Sequence, residues 1–278
     1  MCVVCFRKPA GDKETKSRSL LLILITVYLL KFLEQKLLFL RGNTTPIIAQ
    51  QQGNDLIVLV LCVPLLLVSA AFAARGSLRG RLVWTGTVFF FLYTYASQSF
   101  LTAYNHMFLV YVAAFSLSLY TFAWSLLTLD VKQVKESFSG APVKVTAGFM
   151  FFVGIAVSLM WLGLIVPPLL AGERPVALET YTTMVIQALD LGVIVPMAVI
   201  TGLLLLKKDA WGYTLASLVL IKGITLGTGV LSMALFMSMS GVKVELPQVL
   251  IFVILVAGSL ALAAAFYGKM KKTAAEAT

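Results

Sequence analysis

Asp190 and Lys222 are opposite charges set inside two neighbouring apolar stretches, residues 181–206 and 210–239, each long enough to cross a bilayer as a helix. A charge at mid-membrane costs roughly 3 kcal/mol even on the lenient insertion scale, so each needs a partner, a polar cavity or neutralisation. If Lys207, Lys208 and Asp209 join two antiparallel helices, a rise of about 1.5 Å per residue puts Asp190 roughly 24 Å and Lys222 roughly 18 Å from that turn. A lysine side chain spans the difference. The chemistry available to such a pair is ion pairing, proton exchange or the binding of a charged solute.

Further polar residues fall at helical spacing around the pair. Glu179, Thr183, Gln187 and Asp190 are separated by four, four and three residues, which places them on one face of a helix. The stretch that follows offers Lys222, Thr225 and Gly229, an earlier one Tyr95, Gln98 and Thr102, and the first one Lys31, Glu34 and Lys36. Such faces do not turn toward lipid, and a shared polar cavity accounts for them economically. The plainer alternative is an Asp–Lys bridge that fixes helix register. For Lys31 and Glu34, one turn apart, local pairing is the simpler account.

Other chemistry is thinly represented. No phosphate-binding loop, GxSxG, HExxH or dinucleotide-binding glycine pattern is present. His106 is the single histidine, which excludes bis-histidine haem ligation and histidine-rich metal sites. Cys2 and Cys5 lack the further ligands of a zinc site. No metal ligand set is assigned, and the sequence leaves any cofactor unknown. Asn43, Thr44 and Thr45 form a glycosylation sequon, meaningful in a eukaryotic secretory context alone.

The elements that hold these residues are set by composition. Of 278 residues, 60% are hydrophobic and 12% charged, and the mean hydropathy is +0.95, the profile of an integral membrane protein. Apolar stretches at 19–40, 56–74, 82–103, 107–127, 145–170, 181–206, 210–239 and 246–268 predict an all-α, polytopic protein with eight transmembrane helices. Most Lys and Arg, including Arg75, Arg79, Arg81, Lys132, Lys135, Lys207, Lys208 and Lys269, then fall on one side, against Arg41, Arg174 and Lys243 on the other. That bias places both termini in the cytoplasm. The net charge of +10 is thereby a topology signal with a generic attraction to membrane lipids, and its scatter over short segments argues against nucleic acid.

A repeated half is also legible. Gln52 to Leu56 and Gln187 to Leu191 both read Gln-x-x-Asp-Leu, each followed by a proline (Pro64, Pro196), a basic turn (Arg75, Lys207) and a glycine (Gly80, Gly212). Two tandem four-helix halves in the same orientation follow, residues 19–127 and 145–268, with a cytosolic N-terminal segment 1–18, a linker 128–144 and a tail 269–278. Transporters built from such repeats place their site where the halves meet. Pro167 and Pro168 are expected to end the fifth helix.

The leading expectation is a transporter or channel-like protein whose outward-facing polar cavity, centred on Asp190 and Lys222, admits a small polar or amphipathic solute. Gln187, Thr183, Glu179, Glu34, Tyr95 and Gln98 are the remaining candidate site residues. Two other classes compete: a sensor or partner-binding subunit whose partner protein is unknown, and an intramembrane enzyme acting on a lipid or quinone through Asp190 or Glu34. The balance leans away from an enzyme.

Overall fold

The computed structural model describes residues 43–138 and 140–271. Among them every regular element is helical. Six helices are long and apolar enough to cross a membrane: α1 (Thr45–Ala74), α3 (Phe108–Thr128), α5 (Val143–Ala171), α6 (Val185–Leu206), α7 (Ala210–Met239) and α8 (Leu246–Gly268). The chain is a multi-pass membrane protein. Helix α2 (Leu78–Leu101) has the length of a span but a more polar sequence, and a short α4 (Val131–Ser137) sits between α3 and α5. The expected span at 19–40, with Glu34 and the Cys2/Cys5 pair, lies outside the described residues.

Burial explains the polarity of α2. It packs against α1, α3 and α7, so Thr85, Thr87, Thr94 and Gln98 are turned into protein and not into lipid. Helix α7 is the other central element, touching α1, α2, α4, α6 and α8. Its small residues admit this crowding, with Gly223 and Gly227 lying against Ser259 and Val256 of α8. On α1 a Cβ at Gly53 would fall 2.6 Å from the backbone of Met233, so glycine is what lets α1 and α7 touch there. The periphery is apolar as lipid requires: Leu109, Tyr120 and Leu127 of α3 and Val145, Leu159 and Leu170 of α5 are exposed.

The basic end of the bundle is tied together by backbone carbonyls. Arg79 donates to the carbonyls of Tyr267 (3.1 Å) and Met270 (3.4 Å) at the C-terminus of α8, where a cation also complements the helix dipole. Asp130 caps α4 by accepting from the N–H groups of Lys132 and Gln133. Val134 and Phe138 then bury fully beneath the bundle, Phe138 against the rings of Phe266 and Tyr267. The 128–144 linker is therefore partly a folded, docked element.

Three helix limits differ from the sequence expectation. Helix α1 begins at Thr45, with Pro46 in its first turn, because the polar Gln51 and Asn54 are buried against protein and mask its true start. Helix α5 continues through Pro167 and Pro168 and stops at Gly172, φ 72°. There Glu173 N–H bonds to the Pro168 carbonyl at 2.8 Å, so the left-handed glycine ends the helix and the prolines cost it only bonds near its end. Helix α6 begins at Val185, not at 181. Glu179 (φ 48°) and Thr183 precede it in a loop that contains a 3-10 turn, Val176–Leu178.

Both α1 and α6 are interrupted by a π turn just before a proline: Val58–Cys62 precedes Val63 and Pro64, and Asp190–Ile194 precedes Val195 and Pro196. A proline ring presses on the carbonyl four residues back and offers no N–H to it. The turn widens, and Val195 N–H bonds to the Asp190 carbonyl. Asp190 is thus the first residue of a locally expanded turn, a geometry frequent at functional sites.

Candidate functional site: a buried carboxylate between two cavities

Asp190 is 7% exposed and Lys222 3%. They form no direct ion pair; Tyr93 of α2 contacts both. Its hydroxyl donates to Asp190 Oδ1 at 2.7 Å, and the Lys222 ammonium lies 3.9 Å from its ring centroid and 5.0 Å from that of Phe89. Trp161 of α5 donates its indole Nε1–H to Asp190 Oδ2 at 2.8 Å. Each carboxylate oxygen so accepts one short hydrogen bond, the pattern that stabilises an ionised acid. Among the described residues the Lys222 ammonium has no hydrogen-bond acceptor, and ring faces provide its immediate electrostatic surroundings.

Asp190 borders two cavities. The larger, about 410 Å³, runs from Asp190 to the end of the bundle opposite the basic one, where the exposed Lys243 and Glu245 form an ion pair of 2.9 Å. This hydrogen bond and the adjacent negative charge hold the Lys243 ammonium above the ordinary lysine range. The smaller cavity, about 60 Å³, lies on the Lys222 side and is otherwise walled by apolar side chains, glycines and Ser259. Its volume is about that of two water molecules. Lys222 borders only the small cavity, so a solute in the large one meets the carboxylate first.

Helix α2 supplies the large cavity with one continuous stripe, Tyr93, Thr94, Ser97, Gln98, Leu101 and Thr102, spaced as one helical face requires. Gln51 of α1 donates to Thr102 Oγ1 at 3.3 Å, which in turn donates to Gln98 Oε1 at 3.2 Å. That chain leaves Gln51 Oε1 without a partner, and Asn54 Nδ2 and Ser97 Oγ are likewise unpartnered among the described residues. Buried polar atoms of this kind carry a free-energy cost of about 1–3 kcal/mol each unless water or a ligand satisfies them. At the mouth, Asn43 Oδ1 accepts from Ala103 N–H and from the Tyr181 hydroxyl, both at 3.2 Å, joining the end of α2 to the loop before α6.

Of the residues singled out in the sequence, Glu179, Thr183, Gln187, Asp190 and Gln98 line the large cavity and Lys222 the small one. Glu179 and Thr183 reach it from the loop and not from a helical face. Tyr95 lies past the edge of the α2 stripe, stacked on Phe91 in the core at 6.2 Å, and borders neither cavity. Tyr93 and Trp161 were not singled out. The spacing of Ser97 and Leu101 from Tyr93 was a usable signal for the first. For Trp161, in an unbroken apolar helix, the only signal is that a buried indole N–H requires an acceptor.

The chain matches no protein-family model, no curated protein and no solved structure.

Proposed function

We propose that this chain is a transporter or channel-like membrane protein whose large cavity admits a small polar or amphipathic solute from the outer side, with Asp190 as the docking group. The observation that carries the proposal is a buried carboxylate on the wall of an approximately 410 Å³ cavity, beside amide and hydroxyl groups that lack partners among the described residues. That volume lies in the usual range for small-molecule sites, and a mostly apolar wall with a few convergent polar groups is their usual construction. Lys222 balances the Asp190 charge across the Tyr93 ring while the cavity holds no solute. The outward direction follows from the basic residues gathered at the opposite end, which is cytoplasmic on the positive-inside rule.

The same proposal includes eight spans arranged as two same-direction halves. One constant offset relates the π turn at 58–62 to that at 190–194, Pro64 to Pro196, the N-caps Ser77 to Asp209 and the helix starts Leu78 to Ala210. At that offset Gly80 packs on Phe72 and Ala73 as Gly212 packs on Leu204 and Leu205. The register pairs Asp190 with Val58 and Gln187 with Asp55, so the shared Gln-x-x-Asp-Leu string is three residues out of step with the shared geometry. Lys222 pairs with Phe90. The charged site would then belong to one half, its counterpart positions being apolar.

Uptake or binding by the full chain in proteoliposomes, screened over small polar and amphipathic solutes, tests the proposal. Asp190→Asn and Lys222→Met are each expected to reduce it about tenfold or more, since either leaves one buried charge unbalanced, and the double variant to recover expression in part. Full activity of both single variants would remove Asp190 and Lys222 from the function.

A further inference from the structure

We infer that the solute is an amphipathic organic cation, an alkylammonium with an apolar body; this rests on the reading of the large cavity as a solute site. Among the described residues the charged groups on its wall are Asp190, Glu179, Glu245 and Lys243, and Lys243 is bonded to Glu245. The described wall is therefore acidic in a chain whose net charge is +10. Such a local reversal of sign concentrates cations at the mouth and repels anions. Lys222, which is buried, borders the small cavity and not the large one.

The deep end has the chemistry that recognises an ammonium group. Asp190 accepts one hydrogen bond on each oxygen, and a carboxylate has about four lone-pair sites, so acceptor capacity remains for a ligand. Trp161, Tyr93 and Phe252 bring aromatic rings to the same wall, and aromatic faces beside a carboxylate are the usual setting for alkylammonium recognition. Toward the mouth, Met184, Met233 and Met237 with Val230 present a deformable apolar surface suited to apolar bodies of varied shape. Gln51 Oε1 and Ser97 Oγ, which have no partner among the described residues, can accept from ammonium N–H groups or from a hydroxyl on the solute.

The test uses the full chain in nanodiscs of zwitterionic phosphatidylcholine, so that the lipid itself does not gather cations. Three probes share one ring and differ in charge: benzyltrimethylammonium, benzyl alcohol and phenylmethanesulfonate. The cation is expected to bind about tenfold tighter than either of the others, and Asp190→Asn to abolish that preference. Trp161→Leu, which keeps the carboxylate, is expected to weaken the cation by about threefold to tenfold. Equal binding of all three probes, or preference for the sulfonate, would overturn the cation inference and leave the cavity as a solute site. Binding of none would overturn both. An Asp190→Asn variant that folds and keeps full cation preference would overturn the docking role of Asp190.

Discussion

Burying a carboxylate and an ammonium in one helix bundle costs several kcal/mol per ion before any partner is counted. The chain meets the cost unevenly. Asp190 receives two short hydrogen bonds, from Tyr93 and Trp161, whereas Lys222 receives ring faces and, among the described residues, no acceptor. Tyr93→Phe deletes one donor to Asp190 and keeps the ring, and Trp161→Phe deletes the other while replacing the indole with a smaller ring, so each is expected to lower stability by about 1–3 kcal/mol in mixed-micelle unfolding. An unchanged midpoint in both would mean that water replaces these donors freely. Asp190 and Lys222 were legible in the sequence because charge stands out against an apolar background. Their partners were not, since Tyr and Trp are ordinary residues of membrane helices and only the fold shows which of Tyr93 and Tyr95 turns toward the cavity.

At the scale of elements, the cavity depends on close approach at some points and on local expansion at others. Gly53 brings α1 against the Met233 backbone of α7, and the π turn at Asp190–Ile194 presents the carboxylate just before Pro196. Gly53→Ala is expected to lower the thermal midpoint of the solubilised protein clearly, by the equivalent of about 1–3 kcal/mol. Gly148→Ala, with open space around its Cβ position, should have little effect. Equal effects at both would place no tight α1–α7 contact at Gly53. Helix existence was readable from apolar runs, but limits were not. The polar first turns of α1 look like a loop until burial is known, and the fifth helix passes Pro167 and Pro168 because Gly172 supplies its terminator. A π turn has no hydropathy signature at all; only the recurrent proline hinted at it.

For the whole molecule, the distribution of charge gives the bundle a basic end and an end where the large cavity opens. Single cysteines replacing Lys207 and Lys243, in a chain whose three native cysteines are changed to serine or alanine, should differ toward a membrane-impermeant maleimide, Lys243→Cys reacting in intact cells and Lys207→Cys only after permeabilisation. Labelling of both from one side would reverse or break the topology. The six apolar helices were visible as stretches of sequence, while the shared offset between the two π turns was obscured by the misregistered Gln-x-x-Asp-Leu strings. The most direct test of the central claim, an open path from the outer side to Asp190, is the rate at which Ser97→Cys reacts in the same cysteine-free background. Ser97 lines the large cavity, whereas the equally polar Ser118 is buried on α3, 1% exposed, and borders neither cavity. Applied from outside, a trimethylammonium-bearing thiosulfonate should modify Ser97→Cys about tenfold or more faster than Ser118→Cys, and faster than its sulfonate-bearing analogue does. Equal, slow modification of both cysteines would contradict the account.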